Sequence, residues 1–299
     1  MVTTLERKVD QLIGMLRKGE DYSKIERECY KVINELKKGN RKRDTDEIVK
    51  LRRKLLQELE INFEHYIPKV RLETVVKNIK FMASNKLSFD TLQKLSQRFS
   101  RWIEYNVEEA FKELRETFLS HFIPINKDEL LRLFVKYPSL LGSRFLVMEK
   151  VSFFLQKGVT PDKITSMFKK HPMLIGYDID NTIEPKYEYA EKENFVDETI
   201  EFPTYYGYDV VRIILRTSIE KVKRKETKRS LSYILREKDE KFASLVGISL
   251  KEYKKLERSL RNRLRVNVKS NEKVMAKQIF ERWYEVEEEF LNYLKKEIG

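Results

Sequence analysis

Cysteine and histidine are scarce in this sequence, which limits the chemistry it can perform. It contains one cysteine, Cys29, and three histidines, at positions 65, 121 and 171. A lone cysteine forms no internal disulfide and no cysteine zinc site, and no histidine has Cys, Asp or Glu at metal-ligand spacing. The motifs G-x-x-x-x-G-K-[ST], G-x-G-x-x-G and G-x-S-x-G are also missing, and with them the usual phosphate loops and serine nucleophile. The sequence therefore predicts no cofactor, no metal, no catalytic residue and no enzymatic activity.

Glycine and proline are also few, at 9 and 7 of 299 residues, while 36% of the residues are charged. This composition favours a mostly helical protein over sandwiches and barrels, which need more turn residues. No apolar run approaches the ~18–20 residues of a membrane span, and acidic residues at positions 6, 10 and 20 argue against a secretory signal or a transit peptide. We expect a cytoplasmic protein with no membrane partner, associated with the nucleoid in a prokaryote, and organellar only as a processed form.

A short proline-containing phrase occurs three times, as KYPSLLGSR, KHPMLIGYD and EFPTYYGYD. Its prolines, Pro138, Pro172 and Pro203, are 34 and 31 residues apart, a period typical of helical solenoids. Before the second copy, Thr160 and Pro161 predict a helix start, since the hydroxyl can cap and proline fits the first turn. That helix must end before Pro172, because proline disfavours helical geometry at the residue before it. Each unit is therefore predicted to be a helix, a proline turn and a second helix.

Further signals extend this pattern along the chain. Asn126 and Glu129 predict a capping box, and Asp178 can cap the helix that follows the second phrase. The segment RFSRW at 98–102 stands where an earlier, degenerate unit would carry its proline phrase. The sequence thus predicts an all-α fold, a superhelical α-solenoid whose repeats have about 30–38 residues.

The second phrase and the helix sequence NTIEPKYEY that follows it at 181–189 resemble the repeat of the mitochondrial transcription termination factor (mTERF) family. The segments SLSYIL at 230–235 and DEKF at 239–242 resemble the part that closes the family's repeat array. The resemblance covers roughly residues 85–245. It implies a helical-repeat solenoid that binds nucleic acid along a charged face and acts in transcription termination or regulation. Some members of the family are tied instead to RNA processing and ribosomes.

Three amphipathic helices are predicted before the repeats. Apolar residues recur at helical spacing over 4–18, 22–38 and about 44–66, and Cys29 lies on the apolar face of the second helix. They predict an N-terminal three-helix bundle over residues 1–66, with Cys29 in its core. Self-association through the long third helix is an alternative role of this bundle. Residues 67–245 would form the repeat domain, and 246–299 a basic helix followed by an acidic capping helix.

The positive charge is concentrated in one segment of the chain. The net charge is +13, and residues 207–270 hold 19 Lys and Arg against 8 Asp and Glu. A concentrated basic surface indicates a polyanion partner, and arginine's planar fork suits phosphate. The predicted nucleic-acid contacts are Arg212, Arg216, Lys221, Lys223, Arg224, Lys225, Lys228, Arg229, Lys254, Lys255, Arg258, Arg261, Arg263 and Arg265.

Three tyrosines precede this basic segment. Tyr205 and Tyr206 match leucine, isoleucine and methionine in the other copies of the phrase and are predicted to be core residues. Tyr208 is left as a candidate for stacking on a base, a contact that typically contributes ~1–3 kcal/mol. The pattern at 246–265, a turn and then a basic helix, also permits a recognition helix entering a major groove.

Together these features predict a non-enzymatic protein that binds nucleic acid. Double-stranded DNA is favoured, held by phosphate contacts that set affinity and position without reading sequence. The resemblance supplies the expected role in transcription termination or regulation. Structured RNA is the first alternative ligand, and an α-solenoid scaffold for an acidic protein partner is the alternative from another class.

Overall fold

The computed structural model describes residues 2–38, 45–60, 70–120, 123–142, 144–223, 229–266 and 275–299. No residue in these ranges lies in a β-strand, and the predicted all-α class is confirmed. The described helices are α1 (Val2–Lys18), α2 (Tyr22–Lys38), α3 (Asp46–Glu58), α4 (Leu72–Ser84), α5 (Phe89–Arg98), α6 (Val107–Ser120), α7 (Lys127–Lys136), α8 (Arg144–Gln156), α9 (Pro161–Lys170), α10 (Glu184–Lys192), α11 (Val196–Glu201), α12 (Val210–Lys223), α13 (Leu231–Arg236), α14 (Asp239–Leu245), α15 (Leu250–Arg263) and α16 (Ala276–Ile298).

The chain divides into two compact units, Met1–Met148 and Glu149–Gly299. In the first, α2 packs on α1 and α4, and α3 packs on α1 and α4. Cys29 is fully buried in this core, as predicted, and burial raises the pKa of its thiol to about 12. The third helix ends at Glu58, earlier than the predicted 66, and residues 61–69 lie outside the described part of the chain. The predicted three-part division of the chain stays a prediction.

Each proline phrase forms a short 3₁₀ turn between two helices, as predicted. The turns are Pro138–Gly142, Pro172–Gly176 and Pro203–Gly207. The segment assigned to the degenerate unit contributes a fourth turn, Ser100–Glu104, between α5 and α6. The third residue of each proline turn is fully buried, as leucine in the first two copies and tyrosine in the last. Tyr205 and Tyr206 both have 0% exposure, which confirms them as core residues.

The predicted caps have mixed outcomes. Asn126 and Glu129 form the reciprocal capping box, with nitrogen–oxygen distances of 2.9 and 3.0 Å. The Asp178 carboxylate accepts the amide of Asn181 at 2.7 Å, and a single π-helical turn, Ile179–Ile183, then leads into α10. Thr160 and α9 are wholly within the described residues, yet the threonine hydroxyl caps no amide there. That helix start therefore depends on Pro161 at its first position and not on a side-chain cap.

In two of the three proline turns, the closing glycine lies against a tyrosine from the preceding repeat unit. A Cβ atom on Gly142 would lie 2.7 Å from the Tyr105 hydroxyl, and one on Gly207 would lie 2.8 Å from the Tyr177 hydroxyl. Each tyrosine directly follows one 3₁₀ turn and meets the glycine of the next. Glycine at positions 142 and 207 is thus required for close approach between neighbouring repeat units, and not for a positive backbone angle.

Buried polar side chains connect one repeat unit to the next along the chain. Asn78, in α4, donates to the carbonyl oxygens of Ile103 and Tyr105 at 3.4 and 2.9 Å. Lys186, in α10, donates to the carbonyls of Tyr206 and Tyr208 at 2.7 and 2.8 Å. In both cases the acceptors lie at the C-terminal end of the following 3₁₀ turn, where helix geometry leaves carbonyls without an internal partner. We call these side chains connector pins.

Candidate nucleic-acid interface

Arg216 is a connector pin, which corrects its prediction as a phosphate contact. Its side chain is completely buried. Its guanidinium donates to the carbonyl oxygens of Ile234 and Glu237 at 2.5 and 2.8 Å, and to the Asp239 carboxylate at 2.6 Å. It also bonds the Tyr253 hydroxyl at 3.2 Å. A guanidinium with these partners is not available to a ligand at the surface.

Arg212 belongs largely to the same internal network. Its guanidinium donates to the carbonyls of Leu235 and Glu237 at 3.0 and 2.6 Å and lies 3.4 Å from Asp239. Burial favours a higher pKa for Asp239, but hydrogen bonds from Lys254 and Arg216 outweigh it and hold this pKa below its ordinary value. Most of the Arg212 donors therefore serve the fold, and only 28% of its side chain is exposed.

The basic residues around the end of α12 are only partly described. Arg224, Lys225 and Lys228 lie outside the described residues. Lys223 is the last residue of α12 and is partly exposed.

The remaining two basic residues beside α12 have carboxylate partners. Lys221 lies 3.5 Å from Glu193 and 3.6 Å from Glu287, and Arg229 lies 2.9 Å from Glu220. Carboxylates of the same protein thus neutralise Lys221 and Arg229. A count of charges along the sequence does not show such pairs.

Helix α15 is the basic element with the clearest outward face. A capping box between Ser249 and Glu252 begins it, with nitrogen–oxygen distances of 3.2 and 2.7 Å. Its buried line is Tyr253, Leu256, Leu260 and Leu264. An α-helix has 3.6 residues per turn, so the residues on the face opposite to this buried line recur every three or four positions. The residues at those positions, Lys251, Lys255, Arg258 and Asn262, are all exposed, and Arg265, just after the helix end, is exposed as well. We call these five residues the α15 stripe.

One flank of α15 faces acidic residues, among them Asp239, which also pairs with Arg216. Lys254 lies 2.6 Å from Asp239 and 2.9 Å from Glu257. Arg261 lies 3.1 Å from Glu257 and 3.4 Å from Asp209. These two predicted contacts are therefore committed to internal carboxylates.

The other flank of α15 faces α16. Lys255 lies 2.6 Å from Glu297, and this hydrogen bond raises the pKa of the lysine. Arg263 lies 3.3 Å from Glu289, and its guanidinium is 4.9 Å from the centre of the Tyr293 ring. The two helices thus share a seam of ion pairs.

Three stripe residues differ from the other basic residues of α15. Lys251, Arg258 and Arg265 form no ion pair with any residue in the described ranges. Arg258 and Arg265 were predicted as contacts, whereas Lys251 was missed. Its signal was present in the sequence, since Lys251, Lys255 and Arg258 recur at spacings of four and three residues. With respect to the described residues, the unpaired cations of α15 itself, Lys251 and Arg258, therefore lie on one solvent-facing row, and Arg265 follows just after the helix.

Tyr208 is half-buried beside the internal network. Its ring centre lies 5.9 Å from that of Phe202, and the Arg212 guanidinium is 5.6 Å from it. The role of Tyr208 in base stacking stays a prediction.

Other classes of site have little support. None of the helices described is long and apolar enough to cross a bilayer. Within the described residues, no three His, Cys, Asp or Glu side chains are grouped as metal ligands would be. His171, from the second phrase, is half-buried and bonds the Tyr177 hydroxyl at 3.1 Å, and burial lowers its pKa.

The repeat pattern agrees with a comparison against known families, in which the mTERF family model matches residues 5–243. The chain belongs to the mTERF family. Members of the mTERF family are helical-repeat proteins that generally bind nucleic acid, act in transcription termination or regulation, and are not enzymes. The match begins well before the predicted residue 85, so α1–α3 also lie within the mTERF region. It ends before α15 and α16. No curated protein sequence is significantly similar to the chain.

Proposed function

We propose that this mTERF protein binds double-stranded DNA through its phosphates and acts in transcription termination or regulation, with the α15 stripe as its main contact row. The observation that carries the proposal is that the exposed side chains of Lys251 and Arg258 on α15, and of Arg265 just after it, form no ion pair with a described residue. A cation that already holds a carboxylate must give it up before it contacts a phosphate, so the exchange gains little. Unpaired cations gain the full contact, and Lys251, Arg258 and Arg265 are exposed to solvent.

The geometry of the stripe suits a linear polyanion. From Lys251 to Asn262 the stripe runs about 17 Å along a straight helix, at 1.5 Å per residue. Duplex DNA carries about one negative charge per 1.7 Å of its axis, so several phosphates lie within reach of such a row. Lysine and arginine contacts of this kind fix position and affinity but do not read base sequence. We therefore expect binding with little sequence preference from this row alone.

The test is fluorescence anisotropy of the full chain with labelled duplex DNA, single-stranded DNA and folded RNA of matched sequence, over a series of salt concentrations. Three phosphate contacts from Lys251, Arg258 and Arg265 predict that log K falls by about 2.7 per unit of log salt on duplex DNA, at roughly 0.9 per phosphate. Further contacts would steepen this slope.

Matched variants separate the stripe from net charge. The test variant replaces Lys251, Arg258 and Arg265 by glutamine. In the control variant, glutamine replaces Lys277, Lys295 and Lys296. These three lysines of α16 are exposed and form no ion pair with a described residue. Both variants lose three positive charges. We expect the test variant to lose most of the salt dependence and the control to keep it.

Each outcome of the anisotropy series has a defined meaning. Equal affinity and slope in the test variant and the wild type would remove the α15 stripe from the interface. A preference for folded RNA over duplex DNA would replace DNA by RNA as the ligand. Absence of binding to all three nucleic acids at moderate salt would reject the proposal and leave a scaffold for an acidic protein.

A further inference from the structure

The last helix, α16, carries negative charge next to the proposed contact row. Its sequence contains six glutamates against four lysines and arginines. Its apolar face is buried through Ile279, Phe280, Trp283, Phe290 and Leu294, and it packs on α10, α12 and α15. The position of its carboxylates is therefore fixed by a packed face and does not depend on the ion pairs themselves.

Two of these glutamates face α15 directly. Glu297 lies 2.6 Å from Lys255, which is part of the α15 stripe, and Glu289 lies 3.3 Å from Arg263 beside it. The pair with Lys255 is open to solvent, because 60% of the lysine side chain and 30% of the glutamate side chain are exposed. A phosphate can thus approach the same ammonium group that the carboxylate holds.

Glu287 forms ion pairs with lysines of two other helices, α10 and α12. Its carboxylate lies 3.1 Å from Lys192 of α10 and 3.6 Å from Lys221 of α12. One acidic helix thus forms ion pairs with cations on three other helices, α10, α12 and α15. Three of these cations, Lys221, Lys255 and Arg263, were predicted from the sequence as nucleic-acid contacts.

We infer that α16 is an internal competitor of nucleic acid: Glu289 and Glu297 hold Arg263 and Lys255 in the free protein and weaken phosphate binding by the α15 stripe. This inference rests on the proposed function. A carboxylate held at hydrogen-bond distance has a high effective concentration, which a phosphate from solution must overcome. Exposed ion pairs are individually weak, so the competition lowers affinity without abolishing it.

The same helix offers a control matched in charge and location. Glu285 and Glu288 are exposed and form no ion pair with a described residue. Replacing Glu289 and Glu297 by glutamine removes two negative charges and releases the two cations. Replacing Glu285 and Glu288 by glutamine removes the same charge but releases none. The difference between the two variants therefore isolates the local competition from the general charge of the helix.

The experiment measures affinity of the full chain for duplex DNA by anisotropy over a salt series, after circular dichroism has shown equal helicity. We expect E289Q/E297Q to bind roughly threefold to tenfold more tightly than E285Q/E288Q at low salt, since two surface pairs are removed. We also expect its slope of log K against log salt to be steeper by about 0.9 for each cation that gains a phosphate.

The outcomes distinguish this inference from the proposed function. If the wild type binds duplex DNA and both variants have the same affinity and slope, the internal competition is rejected and the DNA proposal stands. If neither the wild type nor either variant binds duplex DNA, the proposed function fails and the competition with it. If E289Q/E297Q binds more weakly than the control, the two glutamates support the interface and the inference is reversed.

Discussion

Replacing Arg216 by methionine tests whether this residue is a connector pin or a phosphate contact. The change keeps much of the side chain's volume but removes every donor. It leaves the carbonyl of Ile234 without its charged partner, and it removes one of two arginines from both the Glu237 carbonyl and the Asp239 carboxylate. We expect loss of stability with little effect on nucleic-acid affinity of the folded protein.

The magnitude follows from the bonds that are lost. Breaking a buried ion pair costs about 3–5 kcal/mol when one charge is left unpaired. Here Asp239 keeps Lys254 at 2.6 Å, which lowers the cost. The orphaned Ile234 carbonyl adds about 1–3 kcal/mol. A total near 3–4 kcal/mol is expected for R216M, and at about 2–4 °C per kcal/mol this lowers the melting midpoint of the affected unit by roughly 6–16 °C.

The assay is urea denaturation followed by circular dichroism, with duplex affinity measured in parallel. Arg258→Met is the control, because Arg258 is exposed and, among the described residues, hydrogen-bonds only the Lys254 carbonyl of its own helix; the stability of this variant should stay within about 0.5 kcal/mol of wild type. We expect R216M to be unstable with near-normal affinity and R258M to be stable with reduced affinity. A stable R216M protein that no longer binds duplex DNA would refute the assignment of Arg216 to the core.

Three other predictions concern the same architecture. Burial lowers the pKa of Lys186 from 10.5 to about 8, so the unfolded chain binds more protons above pH 8 and wild-type stability should rise with pH there. Relative to Lys186→Met, the wild type should gain about 2 kcal/mol between pH 7 and 9.5 in urea titrations, and a flat difference would contradict this. Gly142→Ala should destabilise by about 1–3 kcal/mol through overpacking against the Tyr105 ring, and Tyr105→Phe should recover part of that loss in a double-mutant cycle of melting curves. Asn78→Leu removes donors to two carbonyls and the acceptor for the Val107 amide at 3.1 Å, and should cost about 1–3 kcal/mol in the same assay; an unchanged midpoint would show that the bonds are replaced.

The sequence predicted the repeat units because their signals are local. A proline phrase, a preceding cap and an apolar period each act within a few residues, and the turns at Pro138, Pro172 and Pro203 formed where these signals placed them. The end of α3 was predicted too late because its apolar spacing continues past Glu58, while the chain itself leaves the helix with a positive φ at Glu60. Periodicity shows where a helix can run and not where tertiary packing ends it.

The candidate site was predicted only as a segment. Charge counting located the basic region but treated each cation as free, whereas Lys255 pairs with Glu297 across 42 residues of chain, and such long-range partners follow from packing. Arg216 was misassigned for the same reason. A partial signal existed, since Arg216 lies three residues from Ile213 and from Ile219, which are both buried, although Arg212 and Glu220 lie four residues away on the same face. An arginine between two apolar residues at this spacing is better interpreted as a buried donor.

The connector pins have a consequence for how the protein unfolds. Asn78, Lys186 and Arg216 each bond carbonyls that belong to the following unit, so a unit completes the hydrogen bonds of its neighbour as well as its own. In a linear array, such terms act as nearest-neighbour coupling energies. Cooperativity between adjacent units should then depend on three side chains of different chemistry. Replacing one connector pin should lower the midpoint of the unfolding transition and also broaden it, because neighbouring repeat units would no longer unfold together.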